Sequence, residues 1–220
     1  MKKYVAEGLG TYALVFCGTG AIIIDQQSDG AVSHTGIAFT FGLIVMSLIY
    51  ALGDISGAHF NPAVTIAFTV AKRFRLRQVP PYIISQLSGA ILASGTLKLL
   101  FPYNELLGAT QPSGAVVQSF ILEFILTFLL MFVIMQVATG NKEKGITAGL
   151  AIGSVVLLEA MFAGPICGAS MNPARSLAPA IVSGHTEHLW LYLLAPVLGA
   201  AAAIPVSKYL LAETPAPGVS

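Results

Sequence analysis

Charged residues are scarce in this 220-residue chain. Asp, Glu, Lys and Arg make up 10% of it, whereas soluble domains carry about 25%. The net charge of +1 provides neither a basic surface for nucleic acid nor an acidic tail. The two cysteines, Cys17 and Cys167, have no CxxC spacing and no neighbouring histidine, so neither a metal site nor a cofactor is predicted. Apolar residues instead make up 55% of the chain, and the mean hydropathy of +0.80 indicates a membrane protein.

Six apolar stretches are long enough to cross a bilayer, which takes about 20 residues per helix. No cleavage-site pattern follows the N-terminal MKKYVAEGLG, so we expect the first span to be retained. Two further apolar stretches, 61–71 and 172–183, are too short to span and are predicted to be re-entrant. The predicted spans are 4–24, 36–54, 80–100, 118–138, 146–165 and 188–211.

Basic residues mark one side of the membrane. If the six spans alternate in direction, nearly all Lys and Arg fall on the same side, while the opposite loops carry mainly Asp and Glu. The positive-inside rule then places both termini in the cytoplasm of a multi-pass plasma- or inner-membrane protein. The residues that set this orientation are Lys2, Lys3, Lys72, Arg73, Arg75, Arg77, Lys142, Lys144 and Lys208.

The two halves of the chain repeat each other. The pattern E-x-x-x-T occurs at Glu7 and again at Glu123, and Asn-Pro-Ala occurs at Asn61 and again 111 residues later at Asn172. Each half has three spans, so the second copy must be inverted, with its site near the midplane. We therefore expect a single domain, 1–220, with repeats of about 1–110 and 111–211 and a short tail, 212–220. The repetition alone would fit a secondary transporter equally well.

Each Asn-Pro-Ala predicts the start of a short helix, because Asn is a favoured N-cap and Pro a favoured first residue. The two inverted half-helices should meet N-terminus to N-terminus, with the Asn amides aiming N–H groups at the centre and loop carbonyls leading to it. Such a lining suits a neutral polar solute and repels cations and protons. The predicted pore centre is Asn61, Pro62, Ala63, Asn172, Pro173 and Ala174, and the predicted carbonyls are those of Gly57, Ala58, His59, Gly168, Ala169 and Ser170.

SGAHFNPAVT, GASMNPARS and the paired E-x-x-x-T motifs resemble the aquaporin, or major intrinsic protein, channels along almost the whole chain. The stretch FAGPICGASMNPARSLAPAIVSGH is most similar to the nodulin-like branch and its bacterial relatives. The resemblance implies an all-α bundle of six tilted helices and two half-helices, assembled as a homotetramer with one pore per subunit. It also implies that Glu7 and Glu123 brace the two loops.

The resemblance further implies a selectivity filter at Phe41, Ala160, Ala169 and Arg175. Water-only members of the family carry a histidine where this chain has Ala160, so a wider opening is expected. That opening would admit glycerol, urea or an undissociated metalloid acid as well as water. A strictly water-selective channel and a coupled secondary transporter remain alternatives, whereas a membrane enzyme would need a catalytic set that is absent. The environment of Glu159 stays open between a neighbouring helix, a second subunit and the outer vestibule.

Overall fold

A computed structural model of the chain describes residues 1–138 and 142–211, with the side chains of 142–146 excepted. Helices dominate this part of the chain, and it contains no strand. The predicted tail, 212–220, and the side chains of Lys142 and Lys144 lie outside the described residues.

Six of the described helices are long and apolar enough to cross a bilayer, which confirms the predicted spans to within a few residues at each end. Their outer surfaces are strongly apolar: Leu92 is 67% exposed and Leu99 is 84% exposed. Such surfaces fit hydrocarbon rather than water. The six helices are α1 (Lys2–Gln27), α2 (Ser33–Ser56), α4 (Val79–Leu100), α5 (Val116–Val137), α6 (Lys142–Cys167) and α8 (Leu189–Leu211).

The other two helices, α3 (Pro62–Val70) and α7 (Pro173–Ser183), are short. They have 9 and 11 residues, so at about 1.5 Å per residue each reaches only partway across a bilayer of about 30 Å. Both begin at the proline of Asn-Pro-Ala, as the sequence predicts. These are the two half-helices.

The packing of the helices follows the sequence repeat. Helix α1 packs mainly on α4 and, in the second half, α5 packs mainly on α8. Each half-helix contacts the third span of the opposite half more extensively than that of its own half, since α3 lies on α8 and α7 lies on α4. The division into two inverted repeats stays a prediction, and this exchange of half-helices supports it.

Helices α2 and α6 cross at the centre of the molecule through two glycines. A Cβ atom built on Gly42 would lie 2.7 Å from the carbonyl oxygen of Gly153, and the reverse distance is also 2.7 Å. No other residue type allows this approach without a backbone shift. Because Phe41 is next to Gly42 in the sequence, the crossing also fixes the position of the Phe41 ring relative to α6.

Candidate functional site

Asn61 and Asn172 cap the two half-helices. The Asn61 Oδ1 accepts a hydrogen bond from the backbone N–H of Ala63 at 2.9 Å. The Asn172 Oδ1 accepts from Ala174 at 3.0 Å and from Arg175 at 3.3 Å. Both asparagines have extended backbone angles and are followed by proline, so the predicted helix starts are confirmed.

The same two side chains join the loops to each other. The Asn61 Nδ2 donates to the carbonyl of Met171 at 2.7 Å, and the Asn172 Nδ2 donates to the carbonyl of Phe60 at 2.9 Å. The amides were predicted to aim N–H groups at the pore centre, and one N–H of each asparagine instead binds the opposite loop. Each amide has two donors, so one N–H per asparagine has no partner among the described residues and can meet a solute. The cross-links hold the two helix N-termini face to face.

The backbone of both loops is left-handed at equivalent positions. Ala58 and Phe60 have φ of 50° and 49°, and Ala169 and Met171 have φ of 40° and 53°. Residues with side chains rarely adopt this conformation, which persists where the surrounding structure enforces it. Within the described part of the chain, nothing donates to any of the six carbonyls predicted to lead to the centre. Five of the six residues line the central cavity, Gly168 being the exception.

Two buried glutamates hold the loops in this conformation. Glu7 accepts hydrogen bonds from the backbone N–H groups of His59 at 3.0 Å and Phe60 at 2.8 Å. In the second half, Glu123 accepts hydrogen bonds from the equivalent backbone N–H groups, those of Ser170 at 2.7 Å and Met171 at 2.8 Å. This geometry supports the predicted bracing.

Two hydroxyl groups, which the sequence analysis missed, complete the braces. The Thr65 Oγ1 accepts from the Gln86 Nε2 at 3.0 Å, lies 3.1 Å from the His59 Nδ1 and donates to the carbonyl of Asn61. In the second half, the Ser176 Oγ accepts from Thr110 at 2.8 Å and lies 2.5 Å from the Ser170 Oγ. The signal was visible in the sequence, because NPAVT and NPARS each place a hydroxyl residue four positions after Asn.

Two tyrosines close the upstream ends of the loops and were also missed. The Tyr82 hydroxyl donates to the carbonyl of Ser56 at 2.8 Å, and the Tyr192 hydroxyl donates to the carbonyl of Cys167 at 2.7 Å. Both accepting residues lie five positions before an Asn-Pro-Ala asparagine. Because α2 and α6 end at these residues, the tyrosines satisfy carbonyls that the helices leave free.

The four predicted filter residues share one cavity. Phe41, Ala160, Ala169 and Arg175 all line it. The Arg175 guanidinium lies over the Phe41 ring, with its Cζ 5.0 Å from the ring centroid. Its Nη1 donates to the carbonyl of Gly108 at 2.8 Å, a contact that the sequence analysis did not identify. Arg175 is 2% exposed, so the surrounding residues hold its guanidinium in place.

Besides these four residues, the cavity is lined by both loops, by the end of α5 at Ile134 and by the start of α6 at Ala148. It has a volume of about 120 Å³, which is room for a file of several water molecules. Beyond the loop carbonyls, its wall is apolar and includes Val45, Ile49, Leu130, Ile134 and Ile152. The polar residues of the lining are His59, Ser170, the two asparagines and Arg175, together with the free loop carbonyls. Among the described side chains, no group of three His, Cys, Asp or Glu residues could hold a metal ion.

Glu159 adjoins Ala160 but does not line the cavity. Its side chain is 4% exposed, and neither carboxyl oxygen has a hydrogen-bond partner in the described part of the chain. It is buried within the subunit, so of the three environments left open it faces neighbouring helices rather than a second subunit or the outer vestibule.

Comparison with known proteins identifies relatives along nearly the whole chain. The family profile described as Major intrinsic protein matches residues 1–206. Aquaporin NIP1-1 of Oryza sativa subsp. japonica is 53% identical over 203 residues, covering 92% of this chain and 72% of that protein. Nodulin-26 of Glycine max is also 53% identical over 203 residues, with 92% and 75% covered.

A solved structure has the same fold. The aquaglyceroporin from Plasmodium falciparum superposes with a TM-score of 0.87 at 25% sequence identity, covering 96% of both chains. The arrangement of six spans and two half-helices is therefore shared with a channel whose sequence is far more distant than those of the plant relatives.

Proposed function

Because this chain belongs to the major intrinsic protein family, whose aquaporins are membrane channels, we propose that it conducts water and small uncharged solutes passively. The proposed solutes are glycerol, urea and undissociated metalloid acids such as boric or arsenous acid. Ions and protons are excluded, and no chemical reaction is catalysed. A strictly water-selective channel is the second candidate, and a coupled transporter is the third.

The observation that supports the solute range is that all four predicted filter residues, Phe41, Ala160, Ala169 and Arg175, line the cavity. Two of the four are alanines, and position 160, where water-only members of the family carry a histidine, is one of them. The alanines leave space, the phenyl ring offers an apolar wall, and the guanidinium donates to an oxygen. A polyol or urea has both an oxygen-rich and a weakly hydrated face, so it matches this lining.

Exclusion of cations and protons follows from the centre of the cavity. The cross-linked asparagines hold the N-termini of α3 and α7 against each other, and each helix end carries about half a positive charge. A cation or hydronium would meet this field in a site with little solvent, where electrostatic repulsion is strong. A neutral solute meets only hydrogen-bond donors and acceptors.

The buried acids argue against a coupled transporter. Both oxygens of Glu7 and both of Glu123 accept hydrogen bonds from loop backbone. Neither residue lines the cavity, whereas a coupling carboxylate would have to reach the substrate or ion. We therefore assign both glutamates to holding the loop backbone in place rather than to binding a substrate or ion.

The protein is a multi-pass membrane protein, and we propose that it lies in the plasma or inner membrane with both termini in the cytoplasm. Its exposed basic loop, which includes Arg73, Arg75 and Arg77, supports this orientation. A homotetramer with one pore per subunit is proposed from the family. Chemical cross-linking of the purified protein in bilayers tests that assembly.

Proteoliposomes test the function directly. In a glycerol gradient, vesicles carrying the protein should shrink as water leaves and then re-swell as glycerol enters, without proton current. Vesicles that pass water but stay closed to glycerol, urea and boric acid would support the strict water channel. A current that follows membrane potential would support the transporter or an ion channel.

A further inference from the structure

Helix α6 contains a proline where it approaches the filter. Pro165 has no N–H, so the carbonyl of Met161, four residues earlier, lacks its normal helical partner. A backbone carbonyl without a partner is costly at membrane depth. Met161 directly follows Ala160, so the defect lies beside a filter residue.

His34, at the start of α2, supplies the missing donor. Its Nε2 lies 2.6 Å from the carbonyl oxygen of Met161, across 127 residues of sequence. A carbonyl only accepts, so the ring nitrogen must donate. The contact therefore replaces a hydrogen bond within α6 by one between α6 and α2.

The surface of α6 is shaped for this ring. A Cβ atom built on Gly164 would lie 2.8 Å from the Cε1 of His34, closer than side-chain atoms approach one another. The imidazole thus lies against helix backbone, and any larger residue at position 164 would displace it.

The His34 contact bears on the filter through helix spacing. Phe41 belongs to α2 and Ala160 to α6, so the distance between these helices sets the width between two of the four filter residues. The Gly42–Gly153 crossing fixes the helices at the centre of the molecule. His34 joins them again at their outer ends.

We infer that His34 is a positioning residue for solute selection, holding the outer end of α6 against α2 so that the opening at Ala160 keeps its width. His34 does not line the cavity and acts only through α6. The inference rests on the proposed function, because it takes the same four residues as the filter.

His34→Phe and His34→Gln form the first test. Phenylalanine keeps a flat ring without a donor, whereas the glutamine amide can place an N–H where the Nε2 lies. We expect His34→Phe to raise the ratio of glycerol to water permeability per channel by about threefold. A factor of this size corresponds to the free energy of one net hydrogen bond, here the one that holds α6 to α2. His34→Gln should keep the ratio of the unmodified protein. A purely structural histidine would lower the amount of folded channel and leave the ratio unchanged.

Pro165→Ala provides a rescue, because alanine returns a backbone N–H to the carbonyl of Met161. In the His34→Phe background it should restore the ratio, and alone it should change little. If His34→Phe fails to fold, Gly164→Ala gives an independent variant, since alanine favours the helix and disturbs only the ring. It should raise the ratio in the same direction.

The outcomes separate this inference from the proposed function. If the unmodified protein passes glycerol and neither His34→Phe nor Gly164→Ala shifts the ratio, the positioning role is wrong. If the unmodified protein passes water only, the proposed solute range fails. The positioning role is then decided by water permeability per channel, which His34→Phe must raise and Pro165→Ala must restore.

Discussion

The two pore loops, 57–61 and 168–172, share a backbone conformation and three of their five residues but differ at the third and fourth positions. Each has left-handed residues at equivalent positions, a glutamate that accepts two backbone N–H groups, and an asparagine that binds the opposite loop. The residues that fill this frame differ, since His59 corresponds to Ser170 and Phe60 to Met171. The shared contacts form the centre of the pore, and the differences make its two ends unlike.

The largest difference lies three residues after each asparagine. Val64 occupies this position in the first half-helix and Arg175 in the second, and both line the cavity. The first half therefore has an apolar wall where the second has a fixed cation over Phe41. The two halves therefore differ in the hydrogen-bond donors that they present to the cavity.

The two bracing glutamates, Glu7 and Glu123, differ in the number of hydrogen bonds that they accept. Glu7 accepts a third hydrogen bond, from the Gln86 Nε2 at 2.8 Å, whereas Glu123 accepts its two from backbone. In Glu7→Gln, the remaining oxygen can still accept from Phe60 and Gln86, and the free Gln86 Oε1 can turn to the new amide. Glu123 has the Cys167 thiol as its side-chain neighbour, and no amide side chain in the described part of the chain bonds to it, so Glu123→Gln lacks this compensation.

We therefore expect Glu123→Gln to be the most damaging of the changes proposed, lowering the free energy of unfolding by about 3 kcal/mol, against about 1 kcal/mol for Glu7→Gln. Thermal unfolding of both purified variants in the same detergent measures the difference. Equal losses would mean that Gln86 does not compensate and that the two braces are equivalent.

Ala160→His sharpens the comparison between the ends of the pore. An imidazole beside Arg175 should narrow the filter and lower glycerol permeability about tenfold, while water permeability changes little. Stopped-flow light scattering of proteoliposomes measures both.

Ile49→His is the matched control, because Ile49 lies 111 residues before Ala160 and lines the same cavity from the first half. The first half has Val64 where the second has Arg175, so the new imidazole would not lie beside a guanidinium. Ile49→His should therefore reduce glycerol and water permeability by similar factors. A selective loss of glycerol permeability in Ile49→His would show that the first half of the chain also contributes a filter. Unchanged selectivity in Ala160→His would show that this position lies outside the filter.

The sequence predicted the elements of the fold well, because its signals were local and repeated. Spans follow from apolar runs, and the half-helices follow from Asn61-Pro62 and Asn172-Pro173. Contacts between distant segments could not be read in this way. The bond from Asn61 to Met171 and that from Arg175 to Gly108 depend on how two loops meet, which no periodicity records. The prediction for the asparagine amides therefore contained no bond between the loops.

Thr65→Val and Ser176→Ala compare the hydroxyls behind the two loops. Thr65 contacts Gln86, His59 and the carbonyl of Asn61, so its loss removes three contacts and leaves the His59 Nδ1 without its partner, although Gln86 keeps its bond to Glu7. Ser170, a partner of Ser176, also donates to the carbonyl of Asn172 and keeps that bond. We expect a loss of about 2 kcal/mol in unfolding free energy for Thr65→Val and about 1 kcal/mol for Ser176→Ala.

Thermal unfolding measures both losses, and the double variant tests their independence. The two sites share no hydrogen-bond partner, so their effects should add to within about 0.5 kcal/mol. A larger deviation would mean that the loops are coupled through the asparagine cross-links as well as joined by them.

The smallest expected change is a gain. Glu159 lies 111 residues after Leu48, so the first half has a buried leucine where the second has a carboxyl group whose oxygens have no partner in the described part of the chain. Glu159→Leu should raise the free energy of unfolding by about 1 kcal/mol, because it removes a buried polar group without a hydrogen bond. The unfolding midpoint should then rise by about 2–4 °C.

Glu159→Gln is the control, since it keeps the shape and the polar atoms and should bring no gain. Because Glu159 does not line the cavity, glycerol and water permeability should stay unchanged in both variants. A less stable Glu159→Leu would mean that bound water satisfies the carboxyl group. A stable Glu159→Leu with altered permeability would instead mean that the carboxyl acts on the filter through Ala160, and that the second half departs from the first to tune solute selection.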